Sequence, residues 1–374
     1  MDDFEIFLAG TPGLEPALCD EARAAGFKGA EAVPGGVTLR GGWPDVWRAN
    51  LVLRGAGRVL VRIGAFRAMH LAQLDKRSRK FPWADVLRTD VPLRIEVTCR
   101  KSRIYHAGAA SQRIANAIRD GLGAEVFEGP VKDAPEEALR LMARIEDDLV
   151  TLSIDSSGAP LHKRGHKEAV GKAPMRETLA ALFLRQCGYR GTEPVADPMC
   201  GSGTFVIEAA EIAAGLAPGR SRAFAFERLA SFNPAAWSAL RGSVAGHETG
   251  LCFHGFDRDD GAIRMSTQNA ERAGVAGLTR FTCQSVSAFA PPEGPPGLVM
   301  VNPPYGARIG NKKMLYGLYA ALGEVLRTRF GGWRVGLVTS EAGLARATGL
   351  PFLPPGPPVA FGGLKVQLHR TEAL

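Results

Sequence analysis

The chain of 374 residues carries 46 Lys and Arg against 38 Asp and Glu, a net charge of +8, with 45% hydrophobic residues. That length provides cores for two or three domains, and no run approaches the ~18 apolar residues of a membrane span. The six cysteines (Cys19, Cys99, Cys187, Cys200, Cys252, Cys283) are scattered without a CxxC, which points away from a disulfide framework or a metal site; Met1-Asp2-Asp3-Phe4 lacks the basic start of a signal peptide, so the expected compartment is the cytoplasm.

Phe4 to Ala9 alternates as a strand, and Leu14, Ala17, Leu18, Ala22 and Ala25 have helical spacing. Val37 to Arg40 reads as a strand, Trp43 to Leu51 as a helix and Val59 to Phe66 as a strand, closing a small lobe near Arg67. The charge is concentrated: residues 40 to 119 hold 17 Lys and Arg against 5 Asp and Glu, an excess larger than that of the whole chain. A basic half beside a nearly neutral remainder marks a polyanion-binding module.

Within it, Gln73 to Trp83 reads as a polar bend followed by a helix start. Leu93 to Cys99 is a strand leading into Arg100-Lys101-Ser102-Arg103-Ile104-Tyr105-His106. Ile114, Ile118 and Leu122 share a helical face that ends at Gly121 and Gly123, and Leu139 to Ile145 and Asp148 to Ile154 are two further strands. Arg77, Arg79, Lys80, Lys101 and Arg103 are the candidate phosphate contacts, acting as a cluster that supplies affinity without sequence reading. Tyr105 and His106 read as packing residues.

Gly158 to Ala173, with few apolar residues, is the expected linker, and Pro174 to Gly188 a helix. The short run Pro194-Val195-Ala196 then meets Asp197-Pro198-Met199-Cys200-Gly201-Ser202-Gly203-Thr204, which opens an Ala-rich helical pattern to Ala214. Such a strand-to-helix turn cradles a ligand: Gly201 and Gly203 let backbone approach a nucleoside, and Asp197 can meet a cationic or hydroxyl group. Val206 stands where a dinucleotide fingerprint has its third glycine, which tilts the reading toward S-adenosylmethionine. Asp257, after the strand-like Leu251 to Phe253, can accept from both ribose hydroxyls, while Asp259 reads as a helix N-cap.

Gly297 to Val301 has the continuous apolar pattern of a buried parallel strand, and Asn302-Pro303-Pro304-Tyr305-Gly306 stands at its tip. The two prolines stiffen the backbone. The Asn302 side-chain oxygen and the Pro303 carbonyl then form a pair of acceptors for an exocyclic amine, whose lone pair is left pointing one way. Tyr305 can stack on the base. Leu315 to Thr328 reads as a helix, Trp333 to Ser340 as a central strand, and Phe361 to Leu368 as the closing strand after the Pro-rich 351–358.

Together these two motifs resemble those of S-adenosylmethionine-dependent amino methyltransferases. The longer stretches Leu161 to Gly165, Ala173 to Ala180, Phe224 to Glu227, and Asn302 to Gly310 with Leu318-Tyr319 resemble the THUMP-domain RNA guanine-N2 methyltransferases, in the branch that modifies bacterial 23S ribosomal RNA. The resemblance implies an α/β fold: a Rossmann-like class I methyltransferase domain, doubly wound with a reversed last strand, behind an N-terminal α+β ferredoxin-like and THUMP module. Expected boundaries are 1–67, 68–156 and 157–374. It implies catalytic roles for Asn302, Pro303, Pro304 and Tyr305, cofactor contacts from Asp197, Met199, Gly201, Gly203, Thr204 and Asp257, and an entry segment, with Arg176 where a lysine is commoner, folded over the methionine end of the cofactor.

One departure stands out. Ser285 takes the place of the family's usual aspartate toward the adenine amine. The expected substrate is 23S rRNA, with tRNA as an alternative in a related branch. A DNA adenine-N6 methyltransferase and a non-catalytic RNA-binding protein are the rivals of other classes. Methylation at carbon calls for a cysteine where Pro304 and Tyr305 stand, and Cys200 reads as structural.

Overall fold

The computed structural model describes residues 3–127, 134–135, 137–167, 175–306 and 312–374. Ala173 and Pro174 of the entry motif and residues 307–310 after the Asn-Pro-Pro-Tyr segment lie outside them. Among the described residues the strands form two sheets, of eight and seven strands.

The first sheet takes its elements from β1 (Phe4–Ala9), α1 (Glu15–Ala24), β2 (Glu31–Val33), β3 (Gly36–Gly41), α2 (Trp43–Val52), β4 (Arg58–Arg67), α3 (Leu71–Arg79), β5 (Leu93–Arg100), α4 (Ala107–Leu122), β6 (Val126–Phe127), β7 (Leu139–Glu146) and β8 (Leu149–Asp155), in the order β2-β3-β1-β4-β8-β7-β5-β6. β4 pairs with β8 from Leu60↔Asp155 to Arg67↔Leu149, so the boundary expected at residue 67 marks a change of lobe inside one sheet. Alternation explains the layering: β7 buries Leu139, Leu141, Ala143 and Ile145 on one face and turns the residues between them outward.

The polar bend expected at Gln73 to Trp83 is instead helix α3. His70 caps it, its Nδ1 accepting from the Gln73 N–H at 3.3 Å, and Lys76, Arg77 and Arg79 in the last turn suit the negative end of the helix dipole. A short 3₁₀ turn at Trp83–Asp85 follows, where the Trp83 indole donates to the Ser78 carbonyl and its ring packs tilted against Phe81, centroids 4.5 Å apart.

The second sheet uses α5 (Glu177–Gln186), β9 (Val195–Asp197), α6 (Thr204–Ala213), α7 (Pro234–Ser243), β10 (Phe253–Asp257), α8 (Asp260–Ala273), β11 (Thr279–Cys283), β12 (Leu298–Val301), α9 (Lys312–Arg329), β13 (Arg334–Thr339), α10 (Ala342–Ala347), β14 (Val359–Phe361) and β15 (Leu364–Arg370). Its order is β11-β10-β9-β12-β13-β15-β14, parallel from β11 to β13 and reversed at β15. This is the expected doubly wound methyltransferase sheet. All four side chains of β12 are buried, as a strand covered on both faces requires. The single closing strand expected at 361 to 368 is a hairpin, because Gly362 and Gly363 both take left-handed backbone and turn the chain between β14 and β15. The strand expected at Leu251 begins only at Phe253 and ends on Asp257.

The two sheets share a packed seam. Trp47 of α2 stacks on Phe226, which also meets Phe224, Phe232 and Trp237 of the 217–240 excursion with ring centroids 5.0–6.0 Å apart. Phe226 is fully buried. Phe226→Ala should therefore lose about 3–5 kcal/mol through lost transfer and a residual cavity. Guanidinium unfolding of parent and variant reads this, and an unchanged midpoint would remove the seam as a stabilising element.

Candidate functional site

Chain order and sheet order part company at β9, with β10 on one side and β12 on the other, so the carboxyl ends of these strands open a crevice between them. Leu298 lies opposite Val195 and Val299 opposite Ala196. β9 ends on Asp197 and β12 on Val301, so the segments that follow, with Met199 and Asn302, leave the same edge of the sheet. The two motifs read from the sequence, about a hundred residues apart, thus occupy one edge of the sheet.

The glycine turn is fixed from several sides. Asp197 Oδ1 accepts from the Met199 N–H at 2.9 Å, the Cys200 N–H donates to the Phe256 carbonyl at 2.8 Å, and Asp257 Oδ2 accepts from the Gly201 N–H at 3.1 Å. From α8, Ser266 Oγ donates to the Gly201 carbonyl and Asn269 Nδ2 to the Ser202 carbonyl, at 2.8 and 3.0 Å. The two glycines do different work. Both have left-handed backbone, but a Cβ at Gly201 meets nothing within 4 Å, whereas one at Gly203 comes within 3.1 Å of Ser266 and 3.2 Å of Ile207. Gly201 faces open space; Gly203 serves the packing of α6 on α8.

Asp257 ends β10, and its Oδ1 also accepts from the Asp259 N–H, while Asp259 caps α8 through the Gly261 N–H. Ser285 stands just past β11, exposed, with its hydroxyl 2.8 Å from Ser287 Oγ. Cys200 is buried beside Ser266, and burial together with Asp197 pushes its thiol well up, which keeps it protonated and out of nucleophilic chemistry.

At the second motif, Asn302 Oδ1 is buried and has no hydrogen-bond partner among the described residues. The loop around it is held by Tyr319, already part of the resembling stretch, and by Glu341, which no motif marks. The Tyr319 hydroxyl lies 3.3 Å from both the Pro304 carbonyl and Thr339 Oγ1, and Glu341 Oε1 accepts from the Gly306 N–H at 3.2 Å. Pro303 is buried and Tyr305 half-buried, with its phenol pushed up to about 12 by burial.

The phosphate candidates separate. Arg77 and Lys80 line an open concavity of about 780 Å³ between α3 and β4, together with His70, Lys76, Phe66 and Phe81. Arg79 instead bridges Asp75 at 2.9 Å and Asp120 at 2.7 Å, tying α3 to α4. Lys101 and Arg103 are exposed at the end of β5, where Arg103 lies 3.9 Å from Asp148. Tyr105 beside them is 84% exposed and does not pack, contrary to the expectation for it, because the buried Ile104 takes the inward position. His106 caps α4 through the Ala109 N–H.

Residues 164–350 match the model of the RMKL-like methyltransferase domain, half of the chain. The chain belongs to the RMKL-like methyltransferase family. Residues 5–60 of this family member also match the RlmL ferredoxin-like domain. It is 36% identical over 360 residues to the ribosomal RNA large subunit methyltransferase K/L of Syntrophotalea carbinolica, covering 92% of the chain and 50% of that protein. The chain therefore spans about half the length of this curated relative. It is also similar in structure to a possible methylase from Clostridium difficile 630 (27% identity, TM-score 0.86, covering 100% of this chain and 99% of that one). A predicted N6-adenine-specific DNA methylase from Listeria monocytogenes is equally similar (29% identity, TM-score 0.87, 100% and 97% covered).

Burial, with Asp257 nearby, holds the Asp197 carboxyl well above the ordinary carboxylate range, although the Met199 N–H pulls the other way. A carboxyl raised in the folded state contributes stability in acid and loses it as pH rises through the raised value. In protein free of ligand, Asp197→Asn should therefore gain thermal stability relative to the parent as pH rises above the ordinary carboxylate range. Melting curves at increasing pH test this, and a pH-independent difference would show Asp197 ionised throughout.

Proposed function

We propose that this chain transfers a methyl group from S-adenosylmethionine to the exocyclic N2 amine of a guanine in RNA, with 23S ribosomal RNA as the substrate. The observation that carries this reading is the buried, unpartnered acceptor Asn302 Oδ1 at the sheet edge beside the glycine turn. A buried acceptor without a donor costs about 1–3 kcal/mol, and an incoming N–H group relieves it. The relative named for large-subunit ribosomal RNA supports RNA over DNA, and the basic concavity on α3 suits either polyanion.

The residues present fit the cofactor. Gly201 leaves open space for it, Asp257 offers a carboxylate at the strand end for the ribose, and Met199 and Thr204 flank the turn. S-adenosylmethionine supplies an electrophilic methyl on a sulfonium. The chain's own part is to aim the nucleophile: Asn302 Oδ1 accepts one N–H of the guanine amine, the Pro303 carbonyl accepts the other, and the Tyr305 ring lies on the base. With the cofactor bound, the amine lone pair so aimed would take the methyl as the S–C bond breaks, and the methylated amine would release its proton to water. No covalent intermediate with the protein is needed. The target base reaches this crevice only when unstacked, so loop or locally opened RNA is the substrate form.

Asn302→Ala should retain S-adenosylmethionine binding by calorimetry and lose roughly 100-fold or more in turnover, the scale of a misplaced reactant. Full turnover would end the catalytic role of Asn302. Radiolabelled cofactor offered with ribosomal RNA, tRNA and DNA in parallel separates the substrates, and labelling of DNA alone would favour an adenine-N6 reading.

The concavity has its own test. Replacing Lys76, Arg77 and Lys80 together by Ala should weaken RNA binding and lower the slope of log K against log salt by about one unit per lost phosphate contact. Arg79→Ala should leave that slope alone and lower the melting temperature. Equal slopes for parent and triple variant would move the RNA contact elsewhere.

A further inference from the structure

Lys167 is a buried cation in the methyltransferase half. It lies in the segment joining the two sheets, with a side chain only 10% exposed. Its ammonium donates to the Met175 carbonyl at 2.6 Å and to Thr204 Oγ1 at 2.9 Å, and lies 3.3 Å from Glu177 Oε1. Thr204 is the first residue of α6 and Glu177 the first of α5, so the ammonium sits against the positive ends of two helix dipoles. Burial lowers its pKa, with Glu177 and Glu208 opposing that shift and Arg164 adding to it.

A buried cation placed against two helix N-termini makes sense where a further negative charge arrives. The corner formed by Lys167, Thr204 and the start of α6 adjoins the glycine turn, and by accepting from Lys167 the Thr204 oxygen leaves its own hydroxyl proton free to donate. Ser202 Oγ, 3.4 Å away, completes the group.

We propose that Lys167 is a positioning residue for the carboxylate at the amino-acid end of S-adenosylmethionine: it orients the Thr204 hydroxyl toward that carboxylate and supplies the counter-charge. This rests on the cofactor placement proposed above. The two helix ends add to the same attraction, since anions are favoured there. Glu177 sets the resting position of the ammonium until the cofactor carboxylate shares it.

The test compares two ligands that differ only at the amino-acid end, S-adenosylhomocysteine and 5′-methylthioadenosine, titrated calorimetrically into the full chain. Lys167→Met should weaken S-adenosylhomocysteine roughly 10- to 100-fold, the range of a hydrogen bond to a charged group, and leave methylthioadenosine unchanged. Thr204→Val should show the same selectivity, and the double variant should lose no more than the larger single loss. Lys167→Arg should restore most of the affinity. Equal weakening of both ligands, or none of either, would overturn the proposal and leave Lys167 as a packing residue. Asp257→Ala serves as the control: it should weaken both ligands. If it affects neither, the cofactor placement itself fails, and that failure is distinguishable from a failure at Lys167 alone.

Discussion

Two carboxylates on α6, Glu208 and Glu211, sit where an isolated charge could not survive. Both are at most 1% exposed. Arg54 from the first lobe reaches them at 2.8 and 3.4 Å, Arg164 from the linker reaches Glu208 at 3.0 Å, and Arg220 from the excursion reaches Glu211 at 2.5 Å. Burial raises the Glu211 pKa, yet the three guanidiniums outweigh it and hold the group below its usual range. Losing one partner of such a cluster leaves a buried uncompensated charge, worth about 3–5 kcal/mol. The helix they occupy begins at the glycine turn, so the first lobe, the linker and the excursion all bear on the position of that turn.

That mechanical tie explains why the site can be built from loop tips. The turn is held by Asp257, Ser266 and Asn269 from neighbouring elements, and the Asn302 loop by Tyr319 and Glu341 from beyond β12. With its surroundings fixed, Asn302 Oδ1 has no hydrogen-bond donor among the described residues. An acceptor kept in that state is the preorganisation that the proposed amine contact requires.

Basic residues serve two separate purposes in this molecule. Arg54, Arg164 and Arg220 neutralise buried carboxylates, and Arg79 bridges two helices, so none of these charges is available to a polyanion. Lys76, Arg77 and Lys80 face the open concavity beside Phe66 and Phe81. The local charge excess of residues 40 to 119 therefore overstates the surface offered to a polyanion.

The order of elements, the buried parallel strand at 298–301, the glycine turn and the Asn-Pro-Pro-Tyr tip are all legible in the chain, because each is written in residues adjacent to one another: a continuous apolar run, a pair of glycines after a strand, two prolines that stiffen a tip. The same local pattern misleads at α3, whose polar surface hides a helix capped by His70, and at the last strand, which Gly362 and Gly363 fold into a hairpin. Tertiary structure alone decided the fate of individual polar groups. Arg79 and Asp120 lie 41 residues apart, Lys167 and Thr204 37, Arg54 and Glu208 154. Whether a charge is spent on a partner or left for a ligand depends on such distant segments meeting, and no pattern within a window of sequence records which of them will.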